Sequence, residues 1–164
     1  MSTRLMLAAD SAADLMSPNP ISISSVATVS EAVGLLVDRG FHAAPVIDEA
    51  GRPIGVVSSG DILRHDREYA RHLSKIPEFD DRERMDLPGG ERLPQRGYQV
   101  ETVDRTPVRE IMTPAIFSVS TNATPEHIVR ELAARRVHRL FVVDGAGVLV
   151  GVISTLDILR KLKS

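Results

Sequence analysis

The sequence predicts a mixed α/β fold of the α+β type, made of two copies of one β-α-β-β-α unit that bury their apolar faces against each other. Three observations predict it. The stretch Gly55-Val56-Val57-Ser58-Ser59-Gly60-Asp61-Ile62-Leu63-Arg64 recurs 96 residues later as Gly151-Val152-Ile153-Ser154-Thr155-Leu156-Asp157-Ile158-Leu159-Arg160, which marks an internal repeat. In each copy an apolar run rich in β-branched residues passes into Ser-x-x-Asp before an Ile-Leu pair, so a short buried strand turns directly into a helix. Pairing residues 14–64 with 110–160 needs no gap and leaves about twenty of roughly fifty positions identical. A unit of about fifty residues is marginal alone, which is why the two copies are expected to share their burial.

The elements follow in order from either copy. Met16, Pro18, Thr28, His42, Val46, Asp48 and Gly51 match Met112, Pro114, Thr124, His138, Val142, Asp144 and Gly147. Ile21–Ile23 and Ile116–Val119 read as short extended segments after a proline. Thr28 with Glu31 starts a helix, whose face is Val29, Val33, Leu36 and Val37. In the second copy Thr124 is the cap, Pro125 takes the first helical position, and Ile128, Val129 and Leu132 form the face. Gly40 suits a left-handed terminator, whereas Arg136 at the matching place is a weaker stop. Pro45–Asp48, a turn around Gly51 and Ile54–Ser58 read as a hairpin, and the helix from Asp61 closes the unit.

Composition narrows the function classes. The chain has 164 residues, 43% apolar and 26% charged, with a formal charge of −2 and a pI of about 6.2. No electrostatic hold on nucleic acid or an anionic membrane is implied. Four Phe, two Tyr and no Trp leave little for base stacking on an exposed platform. There is no cysteine, which removes disulfides, thiolate catalysis and Cys-based zinc sites and fits a reducing compartment. No apolar run approaches membrane-spanning length, and Leu5–Ala9 is too short for a signal peptide, so a cytoplasmic protein is expected.

The strand-to-helix junctions are the candidate chemistry. Unpaired amides at a helix start carry partial positive charge, and a hydroxyl and a carboxylate stand beside them, so an anionic or hydroxylated ligand could be held there. The same residues also read simply as caps, with Asp in the place of Glu in a capping box. Two copies at one spacing favour the ligand reading, since capping alone would tolerate Thr, Asn or Glu.

These residues resemble the CBS domain, the cystathionine-β-synthase-type domain, and the pair resembles a Bateman module. The resemblance is carried by Met16–Pro18 and Met112–Pro114, by Pro45–Asp48 matched with Phe141–Asp144, and by the Gly-x-x-Ser-x-x-Asp junctions. It implies two pseudo-twofold-related repeats packed sheet to sheet, with two clefts between them that take an adenosine-containing ligand: AMP, ADP, ATP or S-adenosylmethionine. By that analogy Asp61 and Asp157 accept bonds from ribose hydroxyls, and Ser58 and Ser154 contact phosphate or ribose. The segments at Ile21 and Phe117, Phe41–Pro45 with His42, and Val137–Phe141 cover the adenine. His138-Arg139-Leu140 resembles the run that contacts phosphate in the energy-sensing members, and an arginine fork suits that task. The first copy has His42-Ala43-Ala44, so unequal clefts are expected. The bland reading of Arg139 is a solvated charge, and of His42 and His138 a pair of packed structural imidazoles.

The resulting division is an N-terminal segment 1–13, repeat one at 14–64, a helical extension and charged insert at 65–107, and repeat two at 108–164. About two-fifths of the insert is charged, and it is longer than a usual structureless connection. Its first part reads as a continuing helix to Ile76, with Ile62, Leu63, Tyr69, Leu73 and Ile76 as candidate buried positions. Pro88-Gly89-Gly90, Pro94 and Gly97 read as an irregular loop, and Tyr98–Val103 as a strap. The insert is expected to pack on the module's side or over a cleft. His65, Glu68 and His72 share a helical face at metal-ligand spacing, but a solvated charged face is the stronger reading, and no metal is expected.

An enzyme is not expected. The chain has no phosphate loop ending in Lys-Ser/Thr, no Gly-x-Ser-x-Gly elbow and no clustered carboxylates, and helix starts favour ionised rather than acid carboxyls. The expectation is a stand-alone regulatory module that senses an adenosyl ligand, needs no cofactor, and acts on a separate, unknown protein partner. The resemblance also implies a homodimer built through helices. The competing reading is a ligand-free dimerisation module acting through protein contacts.

Overall fold

The computed structural model describes residues 6–73 and 104–163. The first half runs β1 (Met6–Leu7), α1 (Ala12–Leu15), β2 (Ser17–Pro18), β3 (Ile23–Ser24), α2 (Val29–Arg39), β4 (Ala43–Ile47), β5 (Pro53–Ser58) and α3 (Ser59–Leu73). The second runs α4 (Val108–Ile111), β6 (Ser118–Ser120), α5 (Pro125–Arg135), β7 (Arg139–Val143), β8 (Leu149–Ser154), α6 (Thr155–Arg160) and β9 (Leu162–Lys163). Each copy is therefore the expected β-α-β-β-α unit, with its first strand two residues later than the post-proline segment suggested. Ile21, Ile116 and Phe117 lie before those strands rather than in them.

In each unit the first strand is parallel to the second and the second antiparallel to the third. Val46/Ile47 and Val142/Val143 carry matching register shifts. The hairpin turns explain two of the repeated landmarks: Asp48 Oδ1 accepts from the Ala50 and Arg52 amides, Asp144 Oδ1 from the Ala146 and Val148 amides. Gly51 and Gly147 supply φ of 79° and 80°, a conformation that costs any residue with a Cβ. The two tips touch, the Leu149 amide donating to the Gly51 carbonyl at 2.9 Å.

The α2 start is the anticipated capping box, Thr28 with Glu31. Its inward face is narrower than the apolar spacing suggested. Val29 and Leu36 are buried, but Val33 is on the surface and Val37 is 72% exposed; in α5, Ile128 and Leu132 are buried and Val129 is not. On α3, Ile62 packs against the core whereas Leu63 and Tyr69 are exposed. A helix on a three-stranded sheet needs only one stripe for that sheet, and the second stripe faces outward. Arg136 ends α5 in the same left-handed conformation as Gly40 ends α2, φ 54° against 63°, so the expected weaker stop is geometrically a full one. Its Cβ carries a cost of about 1–2 kcal/mol that Gly40 escapes.

The two cores are completed crosswise. Ala12 and Leu15 of α1 are buried with Val119, Ile128, Leu140, Val142 and Ile153 of the second unit. Val108 of α4 is buried with Ile23, Ala32, Val46 and Val57 of the first. Backbone bonds repeat the exchange: the Ala12 amide donates to Ala123 and that of Val108 to Ala27. β2 pairs antiparallel with β8, Ser17 opposite Val152, and Thr113 makes the matching bridge to Val56. Beyond this, β1 pairs antiparallel with β9, joining the first and last described strands.

The crossing explains Gly55 and Gly151. A Cβ at Gly55 would lie 2.5 Å from Met112 Sδ and 2.9 Å from the Thr113 carbonyl, and one at Gly151 would meet Met16. Each repeated Met-Ser/Thr-Pro thus packs on the opposite unit's glycine.

Candidate functional site

Two related clefts lie between the units. The larger, about 640 Å³, is walled by Ala115 and Phe117, by Arg136–Arg139 and Phe141, and from the first unit by His42–Pro45. The smaller, about 340 Å³, is walled by Pro20 and Ile21, by Gly40–Ala43 and Pro45, and by Arg139 from the second unit. Both volumes lie within the range usual for small-molecule sites. Eight of the twelve candidates thus line a cleft: Ile21 and Phe41 the smaller, Phe117, Val137 and His138 the larger, and His42, Pro45 and Arg139 both. Arg139 therefore serves the first cleft too. His42 and His138 are exposed, which removes the packed-imidazole reading.

Two guanidinium groups, Arg136 and Arg139, line the larger cleft together with His138. Arg135 is not in that lining but lies close to one of its residues. Its guanidinium carbon lies 4.8 Å from the Phe117 ring centroid, and its Nε donates to Glu131 Oε2 at 2.6 Å. The bond from Arg135 holds the Glu131 carboxyl below its ordinary range.

Ser58, Asp61, Ser154 and Asp157 line neither cleft; each pair forms a capping box. Ser58 donates its amide and Oγ to Asp61 Oδ2 at 2.9 and 2.7 Å, and Ser154 does the same to Asp157 Oδ2 at 2.8 and 2.6 Å. The two carboxylates part company at the other oxygen. Asp61 Oδ1 accepts from Arg64 Nη1 at 3.3 Å and from Thr113 Oγ1 at 3.2 Å, and the residue is 5% exposed. Asp157 is half-buried, and its Oδ1 has no hydrogen-bond partner among the described residues. Thr113 comes from the second unit, so the first carboxylate ties the units together while the second keeps a free acceptor.

The junctions are bonded to the cleft walls by residues the sequence reading passed over. Ser59 donates its amide and Oγ to the His42 carbonyl at 2.9 and 3.2 Å, and Thr155 does so to His138 at 3.0 and 3.3 Å. A change at either helix start is thus felt by the wall segment one bond away. The repeated Ser/Thr just inside each helix was the available signal.

His65 does not point to a metal set. Its Nε2 meets Asp104 Oδ2 at 2.7 Å, and among the described residues no cluster suits a metal ion. Burial raises the Asp104 carboxyl, and bonds from Thr106 and His65 outweigh it, leaving the group below its ordinary range. The His72 side chain lies outside what the structure describes, as do the expected loop and strap at 77–103.

A family model for the CBS domain matches residues 12–68 and 108–164. The chain is 29% identical over 140 residues to the 5'-AMP-activated protein kinase subunit gamma-3 of Bos taurus, covering 85% of this chain and 23% of that protein. It is 30% identical over 141 residues to the chloroplastic CBS domain-containing protein CBSX1 of Arabidopsis thaliana, covering 84% of this chain and 57% of that one. The chain spans about a quarter of the length of the gamma-3 kinase subunits it matches. Among solved structures, CBSX2 in complex with AMP superposes with a TM-score of 0.63 at 25% identity, covering 93% of this chain and 95% of that one.

Proposed function

The chain belongs to the CBS domain family, and we propose that it is a regulatory module that binds an adenosine-containing ligand in the larger inter-repeat cleft and passes the change to a separate protein partner. AMP, ADP, ATP and S-adenosylmethionine are the candidates, with AMP first, because the similar CBSX2 structure is a complex with AMP. The observation that carries the reading is the pairing of two guanidinium groups with a carboxylate oxygen left unengaged among the described residues. Arg136, His138 and Arg139 face one cleft, and the adjoining junction keeps Asp157 Oδ1 unengaged among the described residues. The arginines hold a phosphate through charge-assisted bonds, and the ribose, reaching past the cleft wall to that junction, donates a hydroxyl to Asp157.

In this reading Ile21, Phe41, His42 and Pro45 form the lesser cleft, with Asp61 retained as a tie between units. Ser58 and Ser154 hold the carboxylates rather than the ligand. Catalysis is not part of the proposal, since both carboxylates are engaged as helix caps. No helix among the described residues is long and apolar enough to cross a membrane. The cysteine-free composition supports action in a reducing compartment such as the cytoplasm.

A thermal-shift panel of AMP, ADP, ATP, S-adenosylmethionine and GTP tests this. A ligand that binds only the folded state adds about 2.7 kcal/mol at a hundredfold excess over Kd. At least one adenine ligand is expected to raise Tm, with GTP inert. A flat panel would remove the sensing reading.

Ligand-free dimerisation has its own support. Val33 and Leu63, matched by Val129 and Leu159, are exposed apolar positions on the outer helical faces, joined by Val37 at 72% and Leu156 at 53% exposure. Exposed apolar side chains on all four of these helices are surface that a partner copy could cover. We expect a homodimer closed through these helices, with a mass by light scattering twice the 17.9 kDa of the chain. A monomer mass at micromolar concentration overturns it.

A further inference from the structure

We propose that two copies of the chain pair antiparallel, the α2 and α3 face of each first unit docking on the α5 and α6 face of the other copy's second unit, with Val37 seated in a hollow between α5 and α6. The proposal rests on the dimerisation expected above and adds its orientation, which exposed apolar surface alone leaves open. The two faces are built from one repeat, yet they differ in shape. Between α5 and α6 lies a hollow of about 530 Å³, walled by Val129, Leu132, Ala133 and Arg136 on one side and by Thr155 and Ile158 on the other. Ala133 stands at the place that Val37 takes in the first unit, and Val37 is 72% exposed. One face thus presents a knob where the other presents a hollow.

Two glycines repeat the contrast with the roles exchanged. Gly34 within α2 and Gly60 in the first turn of α3 stand where the second unit has Arg130 and Leu156. Apart from the helix's own backbone, a Cβ at Gly34 would meet nothing within 4 Å and one at Gly60 only Ser58 Oγ at 3.6 Å, and neither residue has a positive φ. Glycine inside a helix is less favourable than alanine, and neither packing within the chain nor backbone conformation requires it here. The glycines flatten the first face where Arg130 and the 53%-exposed Leu156 stand out on the second. Asp38, exposed one turn beyond Gly34, offers the flattened face an acid for Arg130.

Only one orientation uses these differences. In an antiparallel pair each first face meets a second face, and the contact forms twice about a single twofold axis, which closes the assembly. In a parallel pair each face meets its own copy, so knob is set against knob and hollow against hollow, and close packing disfavours both the collision and the void. Arg130 and Asp38 would each be set against a face carrying their own charge. Arg136, Val137 and His138 line the hollow and the larger cleft alike, so the wall of that cleft is also part of the docking face.

The chain has no cysteine, so an introduced thiol reports its neighbours without background. Val37→Cys and Ala133→Cys chains are prepared separately, mixed, left to exchange subunits, and oxidised. Since a disulfide forms only across Cα separations below about 7 Å, a covalent dimer is expected from the mixture and from neither variant alone. Sedimentation equilibrium of Ala133→Leu, which fills the hollow, should show a dimer weakened about tenfold, and adding Val37→Ala should restore part of the loss. A covalent dimer from either variant alone, none from the mixture, or an unchanged dimer in Ala133→Leu overturns the antiparallel seat while dimerisation stands. A monomeric wild type removes dimerisation and the orientation with it.

Discussion

Asp157→Ala and Arg139→Ala are expected to lose most of the stabilisation that an adenine nucleotide confers, and Asp61→Ala to keep it. Arg139 lines both clefts, and one charge-assisted arginine bond contributes about 1.5–3 kcal/mol, a factor of roughly 10 to 150 in affinity. At a ligand concentration that gives the wild type about 2.7 kcal/mol, a variant binding a hundredfold more weakly retains about 0.4 kcal/mol. The carboxylates separate the clefts. Asp157 has an acceptor to give, whereas both oxygens of Asp61 are committed to Ser58, Arg64 and Thr113. Their basal costs run the other way: Asp157→Ala removes a cap, about 1 kcal/mol. Asp61→Ala removes a cap and, in addition, the bonds from Thr113 and Arg64, and should cost about 1.5–2.5 kcal/mol. Urea denaturation with and without nucleotide separates the two effects. A nucleotide response lost as fully in Asp61→Ala as in Asp157→Ala would contradict the assignment of the larger cleft.

Gly55→Ala should destabilise the fold by about 1–3 kcal/mol, the usual penalty for overpacking a tight interior contact. The added Cβ meets Met112 Sδ at 2.5 Å and the Thr113 carbonyl at 2.9 Å, and that carbonyl is the acceptor for the Val56 amide. Gly151→Ala meets only side-chain atoms of Met16 among its three nearest neighbours. Double-mutant cycles should therefore differ. Truncating Met16 to Ala should relieve much of the Gly151→Ala penalty, and Met112→Ala only part of that of Gly55→Ala, because the backbone clash remains. Neutral single substitutions, or strict additivity in both cycles, would show that the crossed Met–Gly contacts do not hold the units together.

Much of the architecture was legible because it is written twice. The ungapped repeat located both hairpins, both strand-to-helix junctions and the Thr28 and Thr124 helix starts, and the shared histidines and Arg139 pointed to the clefts. Surface and core were less legible. Val33 and Val129 have the same apolar spacing as their buried neighbours, and periodicity alone does not say which of two adjoining apolar stripes the sheet covers. The Phe117–Arg135–Glu131 cluster was hidden for another reason: its acid and base are an ordinary helical pair, and only the fold of the segment before β6 brings the aromatic ring beneath them.

By itself the sequence determined the unit, its duplication and the chemistry available at each junction, since these depend on local propensity, capping and short-range spacing. The tertiary structure decided how the two copies share one interior. α1 and α4 each complete the core of the opposite unit, and Met16 and Met112 close on Gly151 and Gly55 across the boundary. It also decided which junction keeps a carboxylate oxygen that no described residue engages. Identical Ser-x-x-Asp turns become unequal when Thr113 of the other unit reaches Asp61 and no described residue does the same for Asp157. That difference is a contact between residues 52 positions apart, set by packing that local sequence does not encode.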